Sequence, residues 1–193
     1  MSIANYAELQ TAIGNYLHRG GLTSQIPDFI TLAEAKLNRQ LRLRSMEQIA
    51  TGAVAATVAV PTRFAEVISM RIISGGDTYQ IKYAPTSRLT GETGGTSSYS
   101  LVGDNFYFDE VDTASTYTLH YYQKFAALSA GANWLITNAP DVYLYASLME
   151  AAPYIKEDTR IPVWAQLLSS GIDDLKREDR DSRYGNNLRM VAA

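Results

Sequence analysis

The side chains of this sequence that could do chemistry are two histidines and three adjacent pairs of carboxylates. His18 and His120 have no serine, metal-ligand partner or carboxylate at a diagnostic spacing, which favours structural roles for both. A glycosidase needs two carboxyl groups that the fold brings together. The pairs that could supply them are Asp109-Glu110, Glu157-Asp158 and Asp173-Asp174. Because neighbouring acids on a surface are usually solvated, a hydrolase is the less favoured interpretation.

A glycine-rich segment at residues 91–97, with the sequence GETGGTS, superficially resembles a phosphate-binding loop. It has no lysine and no predicted helix follows it, so the aligned N–H groups that would bind a phosphate are missing. The chain has no cysteine, which excludes disulfides, thiolate metal ligands and cysteine nucleophiles. The sequence therefore predicts a protein that is not an enzyme, with no catalytic residue, cofactor or metal site.

One predicted helix carries a cluster of four basic side chains. The cluster consists of Lys36, Arg39, Arg42 and Arg44. Such a cluster can face a neighbouring subunit, or it can contact DNA if it lies on an exposed surface with few acids nearby. The net charge of −3 argues against a protein that coats nucleic acid. These four residues are therefore candidates for an intersubunit or DNA-facing surface.

The composition favours a protein with large interfaces. Thirteen of the 193 residues are tyrosine, whose ring buries area while its hydroxyl keeps a hydrogen-bond partner. The N-terminus lacks a basic start followed by an apolar stretch, and no segment approaches the roughly 20 apolar residues of a membrane-spanning helix. We therefore expect a soluble protein without a membrane partner.

A helix-opening phrase occurs twice, on either side of a strand-rich middle. It reads Ile26-Pro27-Asp28 in the first place and Ala139-Pro140-Asp141 in the second. Proline suits the first helical position, and the aspartate that follows is favoured by the helix dipole. Helices, strands and helices in this order favour an α+β fold. We expect a helical bundle formed by the N- and C-terminal helices, with an inserted small antiparallel β domain.

Apolar residues at helical spacing predict four helices, at about 5–18, 27–44 and 141–154, and from 162 onwards. The first should stop at Gly20-Gly21, and the third, apolar nearly all round, should be the central buried helix. The last helix should bury one face, which consists of Trp164, Leu167, Leu168, Ile172 and Leu175.

The middle of the chain predicts five or six strands. Two hairpins are expected, one around Gly75-Gly76 and one around Gly103, followed by a last strand at 117–125. Between the hairpins, residues 88–98 read as a loop. The predicted domains are a helical body at 1–46 and 127–180, an inserted β domain at 47–126 and an arm or tail at 181–193.

The C-terminal segment combines a mixed-charge run at 176–183 with apolar residues beyond it. The apolar residues are Leu188, Met190 and Val191. A charged spacer with an apolar tip is typical of an arm that docks on another protein. A frayed terminus with a few stray apolar residues is the equally favoured alternative.

Three stretches of the chain carry a family resemblance. They are residues 22–42, with Ile26-Pro27-Asp28-Phe29-Ile30 and Leu37-Asn38-Arg39; residues 60–67, beginning with Val60-Pro61; and residues 121–145, with Asn133-Trp134-Leu135 and Pro140-Asp141-Val142-Tyr143. In order and spacing they resemble the head-to-tail adaptors of tailed bacteriophages, also called connectors or head-completion proteins. The resemblance covers most of the chain, but not residues 88–98 or the tail beyond Asp179.

The resemblance implies a structural protein of the virion neck, between head and tail, that is made in the host cytoplasm. It implies a ring, twelvefold in this family, with the portal protein on one side and tail or nozzle proteins on the other. Genomic DNA would pass through the channel without sequence-specific contact. The arm would then dock on the portal through residues Arg180, Arg183, Tyr184, Leu188, Arg189, Met190 and Val191.

Two functions of other classes stay open on the sequence. One is a tail-associated peptidoglycan hydrolase that uses two of the carboxylates named above. The other is a DNA-binding module that uses Arg39 and Arg42, for which a steep salt dependence of binding would be diagnostic.

Overall fold

The computed structural model describes residues 3–18, 21–89, 97–109, 113–155 and 159–184. The chain divides into two compact units. One consists of Met1–Ser45 with Phe125–Ala193, and the other of Met46–Lys124. The first contains the α-helices and the second contains the sheet, so the fold is α+β as the sequence predicts.

The helical unit has one central helix. The described helices are α1 (Tyr6–Leu17), α2 (Ile26–Gln40), α3 (Trp134–Asn138), α4 (Pro140–Ala151) and α5 (Ile161–Tyr184). The other four all contact α4. Seven of the twelve residues of α4 are buried, on all sides of the helix. The apolar sequence of α4 therefore places it at the centre, which confirms the prediction of a central buried helix.

Local signals begin and end the first helices. The Asn5 side chain accepts a hydrogen bond from Glu8 N at 3.0 Å and caps the start of α1. His18, with a left-handed φ of 50°, ends α1 and donates its N–H to Gly14 O. The predicted bounds of about 5–18 are therefore confirmed, but the helix ends at His18 before it reaches the glycine pair, of which Gly20 lies outside the described part of the chain.

The prolines mark helix starts as predicted. Pro27 lies in the first turn of α2 and Pro140 is the first residue of α4, each followed by an aspartate. The predicted end of α2 at Arg44 is wrong, because α2 ends at Gln40 and Leu41 has extended backbone. The Arg42 side chain donates to the carbonyls of Asn38 at 3.0 Å and Leu41 at 2.7 Å. The Arg42 side chain thus takes the place of the backbone N–H donors that these carbonyls would have in a longer helix.

The last helix differs from the prediction in burial and in length. Of its predicted inward residues, Trp164 is buried, whereas Leu167 is 40% exposed and Leu168, Ile172 and Leu175 are half-buried. The reason is that α5 packs on α4 with one narrow face, so the flanking apolar residues reach solvent. The helix also continues through the charged run to Tyr184, four residues into the segment predicted as an arm.

The sheet has seven described strands. They are β1 (Glu47–Ala53), β2 (Thr57–Ala59), β3 (Phe64–Ser74), β4 (Asp77–Tyr83), β5 (Ser98–Val102), β6 (Asn105–Phe108) and β7 (Thr116–Gln123). Their order is β1-β7-β3-β4-β5-β6-β2. The sheet curls around one apolar cluster, which includes Met70, Ile81, Tyr99, Phe106 and Leu119 from five of the strands.

Both predicted hairpins are confirmed. Gly75 and Gly76, with φ of 59° and 94°, form the turn between β3 and β4, and Gly103, with φ of 58°, lies between β5 and β6. The predictions of five or six strands and of a wholly antiparallel sheet are wrong, because β4 and β5 pair in parallel at Lys82↔Ser98 and Tyr83↔Tyr99. A long connection joins them, so β5 re-enters the sheet in the direction of β4.

A buried carboxylate joins three segments of the helical unit. Glu34 of α2 is 8% exposed, and its Oε1 accepts from Leu128 N at 2.7 Å and from the Tyr143 hydroxyl at 2.6 Å. The Asn133 side chain donates to the Tyr143 hydroxyl at 3.1 Å and to Ala126 O at 2.7 Å. Burial raises the pKa of the Tyr143 hydroxyl, and the Glu34 carboxylate raises it further. The hydroxyl therefore stays protonated at neutral pH and donates to Glu34.

We expect Tyr143→Phe to lower the free energy of unfolding by about 1.5–3 kcal/mol, because it removes a hydrogen bond to a buried charged group. The matched control is Tyr154→Phe in the same unit, where the ring is 56% exposed and packs on Phe29. Its effect should stay within about 0.5 kcal/mol. Urea unfolding of both variants measures the difference, and equal effects would contradict a stabilising role for the Glu34 network.

Two helical glycines should respond in opposite ways to alanine. A Cβ at Gly171 in α5 would lie 2.8 Å from Val142 Cγ2 in α4, whereas a Cβ at Gly14 in α1 would lie 3.8 Å from Ile26 Cδ1. Val142 is buried and β-branched, so it cannot turn away. We expect Gly14→Ala to stabilise by about 0.5–1 kcal/mol through helix propensity.

We expect Gly171→Ala to destabilise by about 1 kcal/mol, because the overpacking against Val142 exceeds the gain in helix propensity. Thermal unfolding of the two variants beside the parent chain measures both signs. Stabilisation by Gly171→Ala would show that α5 is free to move away from α4.

Candidate functional site

The titratable side chains do not form a recognisable catalytic centre in the described residues. No group of three or more His, Cys, Asp or Glu side chains that could hold a metal ion occurs there. Of the predicted acidic pairs, Asp173 and Asp174 are exposed on α5, and Asp174 pairs with Arg177. Asp109 accepts from the Ser97 and Ser98 hydroxyls. Glu110, Glu157, Asp158 and most of the glycine-rich segment lie outside the described residues.

His120 has a carboxylate partner that its position in the sequence does not predict. Its Nε2 lies 3.0 Å from Glu47 Oε2. The two residues are 73 positions apart, and β1 and β7 bring them together because His120 pairs with Ile49, two residues along the strand from Glu47. This is a diagonal cross-strand pair, which links the two strands at the end of the sheet order.

The predicted basic cluster has more than one role in the structure. Lys36 pairs with Glu150 of α4 at 2.5 Å, and Arg42 closes the end of α2. Arg44 is exposed, and its backbone N–H donates to Asp179 at 2.6 Å. Arg39 is exposed on α2. Lys36, Arg42 and Arg44 therefore have different local partners, and the interface or DNA-facing role of the four cations stays a prediction.

The C-terminal candidates are partly on α5. Arg180 and Arg183 lie in its last turns, and Arg183 pairs with Asp179 at 2.9 Å. Tyr184 is the last helical residue, and the apolar tip with Arg189 lies outside the described residues. Since Asp179 also accepts the Arg44 N–H, it ties the end of α5 to the segment after α2. Portal docking by these candidates also stays a prediction.

An apolar groove of about 480 Å³ lies between α1, α4 and the start of α5. We use "the apolar groove" for the space lined by Asn15, Tyr16, His18, Tyr145, Arg160, Val163, Trp164 and Leu167. Val163 is 55% exposed and Tyr16 is 39% exposed. Exposed apolar area of this kind is typical of a protein-binding surface.

Polar contacts join the segments that form the walls of the apolar groove. The Arg160 guanidinium donates to Tyr16 O at 2.6 Å and lies 5.1 Å from the centre of the Trp164 ring. Burial raises the pKa of the Tyr145 hydroxyl, and the nearby Tyr16 raises it further. The sequence pattern does not predict the groove, because it assigns Leu167 to the buried face of the last helix.

The different roles of Arg42 and Arg39 can be measured. Arg42→Ala should lower the free energy of unfolding by about 1 kcal/mol, because it leaves the carbonyls of Asn38 and Leu41 without these bonds. Arg39→Ala, at an exposed position of α2, is the control and should change stability by less than about 0.5 kcal/mol. Urea unfolding of the two variants would contradict this assignment if Arg39→Ala cost as much as Arg42→Ala.

No described helix is long and apolar enough to cross a membrane. A comparison with protein-family models matches residues 4–191 to the family described as SU10 adaptor protein. A search of curated proteins finds no match.

Proposed function

Because the chain belongs to the SU10 adaptor protein family, we propose that it forms a ring between the portal and the tail of a phage virion. As a member of this family, the chain is a structural adaptor of the virion that interacts with other head or tail proteins. In the proposed ring, each copy extends the DNA channel of the portal, holds the packaged genome and offers a docking surface to tail or nozzle proteins. It acts through its surfaces and without catalysis.

The observation that carries the proposal is the extent of the family match. It runs from residue 4 to residue 191 and so includes both compact units of the chain. We propose that both belong to the adaptor: a helical bundle from both chain ends forms the body of the ring, and the β unit is an inserted domain. The proposed arm consists of residues 181–193, of which the first four belong to α5.

The surfaces of the helical unit support a ring. A ring of identical copies needs two different surfaces on each copy, because each contact is heterologous. One such surface in the helical unit is the apolar groove at the start of α5. The other is the exposed face of α2, which includes Leu32 and Arg39. Twelve copies, the number implied by the resemblance, would close such a ring.

The charge of the chain supports passage of DNA. A net charge of −3 gives little attraction for phosphates, so DNA can slide through a channel built from this chain without specific contacts.

Native mass spectrometry of the chain mixed with the portal ring of the same phage tests the proposal. We expect a complex with one fixed number of copies per portal, and twelve copies in particular. A chain that never joins the portal would overturn the proposed ring.

A variant that ends after Tyr184 tests the arm, because it keeps α5 and the contacts of Asp179. We expect it to lose portal binding. A second variant keeps the full length and replaces Leu188, Met190 and Val191 by serine. It should lose portal binding as well. Unchanged binding by both variants would exclude the arm as the docking segment.

A further inference from the structure

The outward face of α2 carries a regular stripe of exposed residues. We use "the α2 stripe" for Asp28, Leu32, Ala35 and Arg39, which follow at i, i+4, i+7 and i+11 and so share one face. All four are exposed, and Leu32 is 52% exposed although it is a large apolar residue. The stripe therefore runs from an acid through apolar and small residues to a base.

The last helix carries a second exposed stripe with the same spacing. We use "the α5 stripe" for Val163, Leu167, Ser170 and Asp174. All four are exposed, and the first two form one wall of the apolar groove. Arg160, just before α5, lies at the start of the stripe, which therefore runs from a base through apolar and small residues to an acid.

The two stripes are complementary when they lie side by side in the same direction. Asp28 then faces Arg160, Leu32 lies between Val163 and Leu167, and Arg39 faces Asp174. At about 1.5 Å per residue, the charged ends are about 17 Å apart on α2 and about 21 Å apart from Arg160 to Asp174. The long side chain of Arg39 can span this difference, while Arg160 keeps its contacts with Tyr16 O and the Trp164 ring.

Within one copy, the stripes cannot meet. A second groove, of about 330 Å³, lies between α2 and α5, lined by Ala33 and Gln40 on α2 and by Leu168 and Ile172 on α5. At about 100° per residue, these residues lie on other sides of the helices than the stripes. Each stripe therefore points away from the other helix of its own copy.

The direction of the helices fits a contact between copies. Within one copy α2 and α5 run the same way, because residues 33–40 and 165–172 line one groove and, further along both segments, the Arg44 N–H reaches Asp179. A ring axis roughly along these helices would preserve their direction from one copy to the next. Each α5 would then lie between its own α2 and the α2 of the neighbour.

We propose that the α2 stripe of one copy packs in parallel on the α5 stripe of the next copy, with Leu32 at the mouth of the apolar groove. This inference rests on the proposed ring. Apolar contact at the centre with complementary charges at both ends is the usual arrangement of a specific protein interface.

Disulfide cross-linking tests the contact directly, since the chain has no cysteine of its own. Leu32→Cys and Val163→Cys are made as separate variants, mixed with the portal ring and oxidised. A disulfide needs Cα atoms within about 7 Å of each other. We expect a cross-linked dimer only when both variants are present, because the contact joins two different surfaces.

The control for position is Thr31→Cys, an exposed site about 100° around α2 from Leu32. Mixed with Val163→Cys, it should stay uncross-linked. Cross-linking of Leu32→Cys alone would overturn the proposal, because it would show a symmetric contact between α2 helices.

Charge reversal is a second test, which needs no disulfide. Arg39→Glu and Asp174→Arg should each reduce ring assembly on the portal. A chain that carries both substitutions should assemble again, because every contact between copies then has the reversed charge pair. Light scattering measures assembly. A ring that assembles without the cross-link and without this rescue overturns the stripe contact alone, whereas no assembly in any condition overturns the proposed ring and this contact with it.

Discussion

The carboxylate of Glu34 is the constraint on which the helical unit depends. It is buried, and one of its oxygens accepts hydrogen bonds from the Leu128 N–H and the Tyr143 hydroxyl. A buried carboxylate is costly unless such partners are present, so the chain that returns after the last strand must meet α2 at this point. Asn133 adds a bond to Tyr143 and caps α3 by accepting from the Ile136 N–H. The polar network thereby joins α4 to α2 and to the segment before α3.

The position of α4 decides which surfaces remain available for partners. Because α4 is apolar on all sides, α1, α2 and α5 each cover it with one face and expose the opposite one. The exposed faces retain large apolar residues, such as Leu32 and Val163, with charged residues at their ends. An adaptor needs surfaces of this kind, because its activity consists of holding other proteins in place. The helix that fills the core thus also determines the geometry of the proposed contacts between copies.

In the β unit, features that depend on neighbouring residues could be predicted, and features that depend on distant segments could not. Its hairpin turns could be predicted because Gly75, Gly76 and Gly103 lie beside the strands that they connect. The parallel pairing of β4 with β5 could not, because it depends on where a long connection brings the chain back. The pair formed by His120 and Glu47 was missed for the same reason, since only the pairing of β1 with β7 brings these residues together.

The sequence by itself determined the α+β class, the proline starts of two helices, the central position of α4 and the family resemblance. These features depend on residues within a few positions of each other, or on a pattern that runs along the whole chain. The tertiary structure decided that Arg42 closes α2, that Glu34 is buried and that Leu167 faces an apolar groove. Whether a side chain is buried, paired or exposed depends on distant segments that pack against it, and local spacing carries no information about their position.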